Sequence, residues 1–251
     1  MSAPRLSVVV ITLNEEERIR ECLASVAWAD EIVVIDAGSE DKTVAIAREF
    51  TDHVVIRSWD GFAAQKNVGI ARARGAWILS LDADEQVDDA LRAEIQAVLA
   101  APDACDGYRL ARRNIMWGRW IRHGRLYPDR QLRLFRRGRG RFVDRAVHES
   151  VAVEGRVGLL HTPLVHHSYR DVSDFLRRAD RYSTLAAEDW AREGRPFRAA
   201  QLVTAPLGRF LSMYLVHRGF LDGWRGFLLA VLYAYYVFIR SAKTWEKARS
   251  R

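Results

Sequence analysis

Short apolar runs, each ending in polar or acidic residues and each followed by a helical period, organise the first hundred residues. Leu6–Thr12 (LSVVVIT) is a β-branched run that predicts a buried strand, and it breaks at Leu13-Asn14-Glu15-Glu16-Glu17. Ile19, Cys22, Leu23 and Val26 then recur at helical spacing behind acids suited to a helix start. Glu31–Ile35 predicts a second strand ending at Asp36-Ala37-Gly38-Ser39, where Ser39 or Asp41 can cap a helix over Thr43–Phe50. Val54–Arg57 predicts a third, short strand. Phe62–Arg74 carries a helical period through Phe62, Lys66, Gly69, Ile70 and Ala73. It leads into Ala76–Glu85 (AWILSLDADE), where a strand over Trp77–Leu81 stops at Asp82, Asp84 and Glu85 and a helix over Asp88–Leu99 follows.

Strands alternating with helices imply an α/β chain with a mostly parallel, Rossmann-like sheet, right-handed crossovers and flanking helices. Ligands of open α/β sheets bind outside the carboxyl ends of the strands, which is where this chain keeps its polar residues. Three acids at one strand end repel one another unless a cation or a donor-rich ligand offsets them. A hard divalent cation takes carboxylate oxygens and shares them with substrate phosphates. The alternative is that these acids only cap the following helix. No G-x-G-x-x-G or G-K-[ST] follows the first strand, which argues against a dehydrogenase or a P-loop NTPase.

Composition sets the bounds around this pattern. With 49% hydrophobic residues among 251, the chain can bury a full core as one large α/β domain, or a domain with a C-terminal appendage. The two cysteines, Cys22 and Cys105, have no metal spacing and suit a reducing, cytoplasmic setting. The opening MSAPRLSVVVITLNEEE does not read as a secretory signal. A net charge of +7 suits nucleic acid, anionic lipid or phosphorylated substrates. Asp103–Arg145 is dense in arginine, interleaved with Trp117, Trp120, Tyr127 and Phe135, a mixture that can bind single-stranded nucleic acid. The acid-rimmed strand ends would repel a polynucleotide, so nucleic acid is not expected, and a smaller phosphorylated, anionic partner suits both halves of the chain. Within this stretch QLRLFRR predicts a strand with Leu132 and Leu134 on one face and some arginines on its solvated face.

The C-terminal third reads as helical. Phe175, Leu176, Ala179, Tyr182 and Leu185 recur within Asp174–Arg192. Uninterrupted apolar residues run only from Phe227 to Ile239, short of the roughly 20 that span a bilayer. Trp224, Tyr233, Tyr235 and Tyr236 suit a membrane interface, and Arg209, Arg218, Arg240, Lys243 and Lys247 suit anionic headgroups. A buried packing helix or an oligomer seam is the alternative. The expected organisation is a catalytic domain over 1–170, split near 100 into nucleotide and acceptor halves, and a helical extension over 171–251.

VVVITLNEEE, EIVVIDAGSEDKT, WDGFAAQKNVGIARARGAWILSLDADE and FVDRAVHESV together resemble a family 2 glycosyltransferase with the glycosyltransferase-A fold. The resemblance runs from Leu6 to about Trp245 and is nearest, within that family, to lipopolysaccharide-core β-1,4-glucosyltransferases acting on inner-core heptose. It implies that Asp82 and Asp84 form the family's Asp-x-Asp, handling the nucleotide ribose and a Mg²⁺ or Mn²⁺ ion on the sugar-nucleotide diphosphate. Asp36 matches the acid that hydrogen-bonds uracil, and Thr12, Asn14 and Glu15 match the rim that holds base and ribose. Where such families often carry Pro-x-Tyr-Asn, this chain has Thr12-Leu13-Asn14, without the stacking tyrosine. Lys66 resembles the basic residue that reaches the nucleotide, the alternative being a solvated helix lysine; Gly69 would let that helix pack closely on the sheet.

Inverting transfer needs a base for the attacking hydroxyl. The resemblance puts it at Glu149 in Val147-His148-Glu149, with His148 the rival. Some members of the fold add a metal ligand from a later histidine. His166 or His167 could supply it, but adjacent strand residues point to opposite faces, so at most one does; a structural role for these and for His161 is the alternative. The implied activity is metal-dependent, inverting transfer of a sugar, expected to be glucose, from a UDP-sugar to a lipopolysaccharide inner-core acceptor. The enzyme would sit peripherally on the cytoplasmic face of the inner membrane. Transfer to a polyprenyl phosphate, or a non-catalytic membrane-bound scaffold, are the rivals; a scaffold needs neither the Asp-x-Asp nor a base.

Overall fold

The four apolar runs become β1 (Leu6–Thr12), β2 (Glu31–Asp36), β3 (Val54–Ile56) and β4 (Trp77–Asp82), ordered β3-β2-β1-β4 with all neighbours parallel. The computed structural model describes residues 4–143, 150–194 and 197–249. Between the strands run α1 (Ile19–Ser25), α2 (Thr43–Ala47) and α3 (Phe62–Arg72). Helix α2 stops three residues before the expected Phe50 and is followed by turn residues.

Beyond β4 come β5 (Glu85–Gln86), α4 (Asp89–Ala100), β6 (Gly107–Met116), β7 (Arg119–Trp120), β8 (Asp129–Arg136), β9 (Gly140–Val143), β10 (Ser150–Val153), β11 (Val157–Leu159) and β12 (Leu164–Tyr169). Here the strand direction alternates: β8 runs antiparallel to β4 and to β6, and β12 antiparallel to β5. The sheet is therefore mixed, parallel through β4 and largely antiparallel past it. Strands β9 and β10 form a separate antiparallel pair.

The chain divides into two compact units, Met1–Arg112 with Asp129–His166, and Arg113–Pro128 with His167–Arg251. The first unit's core follows the two-residue period of the strands. Val8, Val10, Val34, Leu79 and Leu81 face Ile19, Leu23, Leu91 and Ile95 of α1 and α4. Val9, Ile11, Val33, Ile35 and Ile78 face the other way, toward Ala63 of α3 and Phe142. Helix α3 lies close on that face because Gly69 has no side chain: a Cβ there would come within 2.3 Å of Val9 Cγ1. The close packing expected of Gly69 is present.

In the second unit, Ile115 and Met116 of β6 pair with Trp120 and Arg119 of β7. Helix α5 (Val172–Arg192), capped by Asp171 accepting from the Asp174 N–H at 2.6 Å, precedes α6 (Gln201–Leu211). A π-helical turn (Ser212–Val216) and a short 3₁₀ turn (Gly219–Asp222) lead into α7 (Gly223–Arg249). Residues 113–128, expected from the sequence in the acceptor half, belong to the same unit as these helices. By length and composition, Gly219–Lys247 is long and apolar enough to cross a membrane. A count of uninterrupted apolar residues misses this, because the helix carries scattered polar residues within an otherwise apolar length.

Candidate active site

The strand register brings the expected site residues level with one another. Thr12 is the register partner of Asp36, Ile11 partners Asp82 on the other side of β1, and Asp36 partners Ile56. The carboxyl ends of β1, β2 and β4 thus finish within one rung. Asp82 lies on the face covered by α3, since it continues the alternation of Ile78 and Ser80.

On that face Lys66 projects from the second turn of α3 and is 1% exposed, among the most buried side chains of the described residues. Its Nζ sits 2.9 Å from Asp82 Oδ1 and 5.0 Å from the Phe142 ring centroid. The solvated-lysine alternative is therefore excluded. Asp82 Oδ2 accepts from Arg133 Nη2 at 2.7 Å, and the same nitrogen donates to Glu85 Oε1 at 2.6 Å. Glu85 turns back so that its Oε2 accepts from the Asp82 backbone N–H at 2.9 Å. Arg112 lies 4.0 Å from Glu85 and donates to Asp129.

The cluster explains the electrostatics. Burial pushes the Asp82 carboxyl up, but the charges of Arg133 and Lys66 outweigh it and hold this carboxyl well below the usual range. Glu85 is shifted the other way: burial raises it, Asp82 adds to the rise, and Arg133 only partly offsets both. Cys22 lies with its Sγ 3.7 Å from the Asp82 carbonyl. Its thiol is pushed well up by burial and then by the surrounding acids, Glu85, Asp84 and Asp82 first among them. Part of the offset that three neighbouring acids require comes from cations of the chain itself, Lys66, Arg133 and Arg112. Nor do the three acids cap the next helix, since Asp88 does so, accepting from the Leu91 N–H at 3.0 Å.

Asp84 stands apart from that clamp. Its Oδ2 is 3.5 Å from His166 Nε2 and 3.8 Å from Arg18 Nη1, with both acid and imidazole mostly buried. The pairing of β12 with β5 makes this contact, because His166 is the register partner of Glu85. Among the described residues no three His, Cys, Asp or Glu side chains converge as a ready metal site. The donor chemistry of Asp84 and His166 still fits a divalent cation that takes its other ligands from phosphate and water. Two ligands on one octahedral ion lie about 3 Å apart, close to the separation seen here. Asp82 fits less well as a ligand, since both of its oxygens already face cations of the chain. His161 serves elsewhere: its backbone N–H donates to Glu94 at 2.8 Å.

The first-strand rim is braced against the loop after β2. Asn14, at a left-handed φ of 53°, donates its N–H to Ser39 Oγ at 2.8 Å and accepts from the Glu40 N–H at 2.9 Å. The Glu15 N–H donates to Thr43 Oγ1 at 2.8 Å. Asp36 is fully buried, its Oδ1 accepting from the backbone N–H groups of Gly38 and Ser39 and its Oδ2 from the Ser39 hydroxyl. Of the two residues expected to cap the next helix, Asp41 accepts from the Thr43 N–H at 2.9 Å, while Asp36 organises the turn before it, with Gly38 supplying the positive φ that the turn requires. Thr12 is different: its buried Oγ1 has no hydrogen-bond partner among the described residues, an arrangement that costs free energy unless a ligand or water supplies one.

Glu149 and its rival His148 lie outside the described residues. Sequence reasoning misses Arg133, Arg112 and Arg18. The first is hidden among many arginines in a strand whose neighbour the sequence does not reveal; its flanking Leu132 and Leu134 mark the opposite face as buried, but the face of Arg133 is buried too.

Residues 7–152 match the model described as Glycosyl transferase family 2. Lipopolysaccharide core biosynthesis glycosyltransferase LpsC of Rhizobium meliloti (strain 1021) is 33% identical over 249 residues, which cover 96% of this chain and 92% of LpsC. An uncharacterized glycosyltransferase of Rickettsia typhi is 28% identical over 256 residues, covering 96% and 87%. Among solved structures, mannosyltransferase PcManGT from Pyrobaculum calidifontis, in complex with GDP-Man and Mn²⁺, superposes with a TM-score of 0.55 at 16% identity, covering 98% of this chain and 88% of that one. S. aureus TarS in complex with UDP gives 0.50 at 16% identity, covering 98% and 92%. At such identities these two likenesses are likenesses of fold.

Proposed function

This chain belongs to glycosyl transferase family 2 and has the glycosyltransferase-A fold, and from that premise we propose that it transfers a sugar, glucose first among candidates, from a UDP-sugar to a lipopolysaccharide inner-core acceptor. The observation that carries the reading is the pair Asp84–His166, 3.5 Å apart beside a clamped Asp82 at the strand ends. Full-length likeness to a lipopolysaccharide core biosynthesis enzyme supports the acceptor class. The acceptor is then lipid-borne, and transfer takes place on the cytoplasmic face of a membrane.

In this mechanism Asp84 and His166 would hold a divalent cation, Mg²⁺ or Mn²⁺, whose chemistry there would be neutralisation of charge on the diphosphate leaving group. Lys66 and Arg133 fix the Asp82 carboxylate so that it stays ionised and oriented toward the donor ribose. The orphaned Thr12 hydroxyl and the braced loop of Asn14, Glu15 and Asp36 hold the base. Glu149 takes the proton of the acceptor hydroxyl as its oxygen attacks the anomeric carbon. The bond from that carbon to the diphosphate oxygen breaks in line, inverting the centre and releasing UDP.

The test is UDP release from a panel of UDP-sugars on heptose-containing acceptor lipid, with and without Mn²⁺. Asp84→Ala and Glu149→Ala are expected to abolish metal-dependent turnover. Turnover that survives Glu149→Ala moves the base to His148, and transfer to polyprenyl phosphate in place of the core lipid would overturn the acceptor.

A further inference from the structure

The second unit exposes an apolar surface that the proposed chemistry does not use. Along α6 and the turn after it, Val203, Leu207, Leu211 and Leu215 recur every four residues, and Val203 and Leu207 are 69% and 54% exposed. On α7, Trp224, Phe227, Val231, Tyr235 and Phe238 recur at three and four residues, again exposed and on one face. Between the helices lies an open groove of about 350 Å³, lined by Leu202, Pro206, Phe210, Val231 and Phe238 among others, with almost no polar lining. The connecting turn exposes apolar side chains beside Arg218 as well: Val216 is 73% exposed and Leu221 52%, where turns facing water normally carry polar residues. A contiguous patch of this kind marks an interaction surface.

Charge selects its partner. From Gln201 to Ile239 the basic residues are Arg209, Arg218 and Arg225, and the sole acid is Asp222. Asp222 is buried, accepting from the backbone N–H groups of Arg122 and His123 and facing the His123 ring. Arg225 donates to the Trp117 carbonyl, while Arg209 and Arg218 lie beside the apolar face with no ion-pair partner among the described residues. A second copy of the chain, paired by a two-fold axis, would bring these arginines together without counter-charge. A bilayer bearing anionic headgroups supplies both the apolar interior and the missing negative charge.

The other face of α7 is already committed. Leu229, Leu232 and Val237 are buried, Lys243 donates to Asp180 of α5 at 2.6 Å, and Lys247 to Glu188 at 3.0 Å. A helix crossing the bilayer would drag those ion pairs of α5 into hydrocarbon, a cost that a helix lying in the interface avoids.

We infer that α6, the apolar turn and α7 form a monotopic hairpin that seats in one leaflet of an anionic phospholipid bilayer, its groove taking an acyl chain and its arginines meeting lipid phosphates. This deepens the membrane-surface part of the proposed function and rests on it. The test uses the full chain and vesicles of phosphatidylcholine alone or with one-quarter phosphatidylglycerol, with no sugar nucleotide or acceptor, so it stands or falls apart from the transferase assay. Cosedimentation is expected with the anionic vesicles, reversed by high salt. Arg209→Gln with Arg218→Gln should weaken it roughly tenfold or more. Leu207→Ser with Phe227→Ser should abolish it while the thermal melt is retained. Equal binding to both vesicle types, retention after an alkaline carbonate wash, or a dimer in sedimentation equilibrium that Phe227→Ser disperses would each overturn the inference.

Discussion

The strand-end rim and the α6–α7 hairpin break the ordinary rule of burial in opposite directions. The rim takes charge into the interior: Lys66 is 1% exposed and Glu85 fully buried, each against an opposite charge. The hairpin leaves Trp224 61% exposed and hides its one acid. Buried ion pairs add little to stability, and mostly exposed aromatic side chains forgo most of what burial would give them, so folding alone explains neither arrangement. On the proposed reading each is half of an interface, the rim with a nucleotide diphosphate and the hairpin with a lipid surface. Departures from the folding rules collect where function sits.

Removing one partner is the severest challenge to the rim. Arg133→Met should destabilise the fold by about 3–5 kcal/mol in urea denaturation, because it strands Asp82 and Glu85 without their shared cation. Adding Glu85→Gln should recover part of that loss; an unchanged midpoint in the single variant would mean the clamp is not formed. A purely steric contrast comes next: Gly69→Ala should cost about 1–3 kcal/mol by forcing α3 off Val9.

Buried charge at the wrong end of the strands gives a control. Glu31, at the amino end of β2, accepts from the Ser7 hydroxyl at 2.5 Å and from the Arg74 backbone and side chain, both at 2.7 Å. Burial pushes this carboxyl up, but those donors outweigh it and hold it below the usual range. Because the folded value is lowered, its contribution is full above the ordinary carboxylate range and disappears as pH falls through the folded value. Glu31→Gln should flatten the fall in urea midpoint between about pH 5 and pH 3 and leave sugar transfer at neutral pH unchanged. The smallest stability effect belongs to the hairpin, where the half-exposed Phe227 packs edge-on against Phe210 and Tyr214 and Phe227→Ser should cost about 1 kcal/mol.

Much of this architecture is legible in the chain because buried parallel strands are nearly continuous apolar runs, and the polar residues that stop them must face a solvent or ligand. LSVVVIT reads as the observed strand, EIVVI and WILSL each stop one residue short at the acid that ends β2 or β4, and the family resemblance carried by Asp36, Asp82 and Asp84 is borne out at the level of family and fold. The antiparallel half is harder, since whether β8 lies beside β4 is decided by contacts far apart in sequence. That same pairing decides that Arg133 is buried while other arginines of its strand are not. Lys66 is ambiguous for a related reason: helical spacing fixes which face it occupies, but not that an acid waits there. Asp36 shows the limit of motif reading, because a residue matched to a base-binding role also holds its own turn together.

The proposed mechanism divides the labour between the two acids of the motif: Lys66 and Arg133 clamp Asp82, while Asp84 and His166, 3.5 Å apart, would hold a cation. Calorimetric titration of UDP into the native chain and into Asp84→Asn, each with and without Mn²⁺, puts that division to the proof. Mn²⁺ should tighten UDP binding to the native chain at least about tenfold, and Asp84→Asn should erase that gain. UDP affinity indifferent to Mn²⁺, or a gain that survives in Asp84→Asn, would refute it.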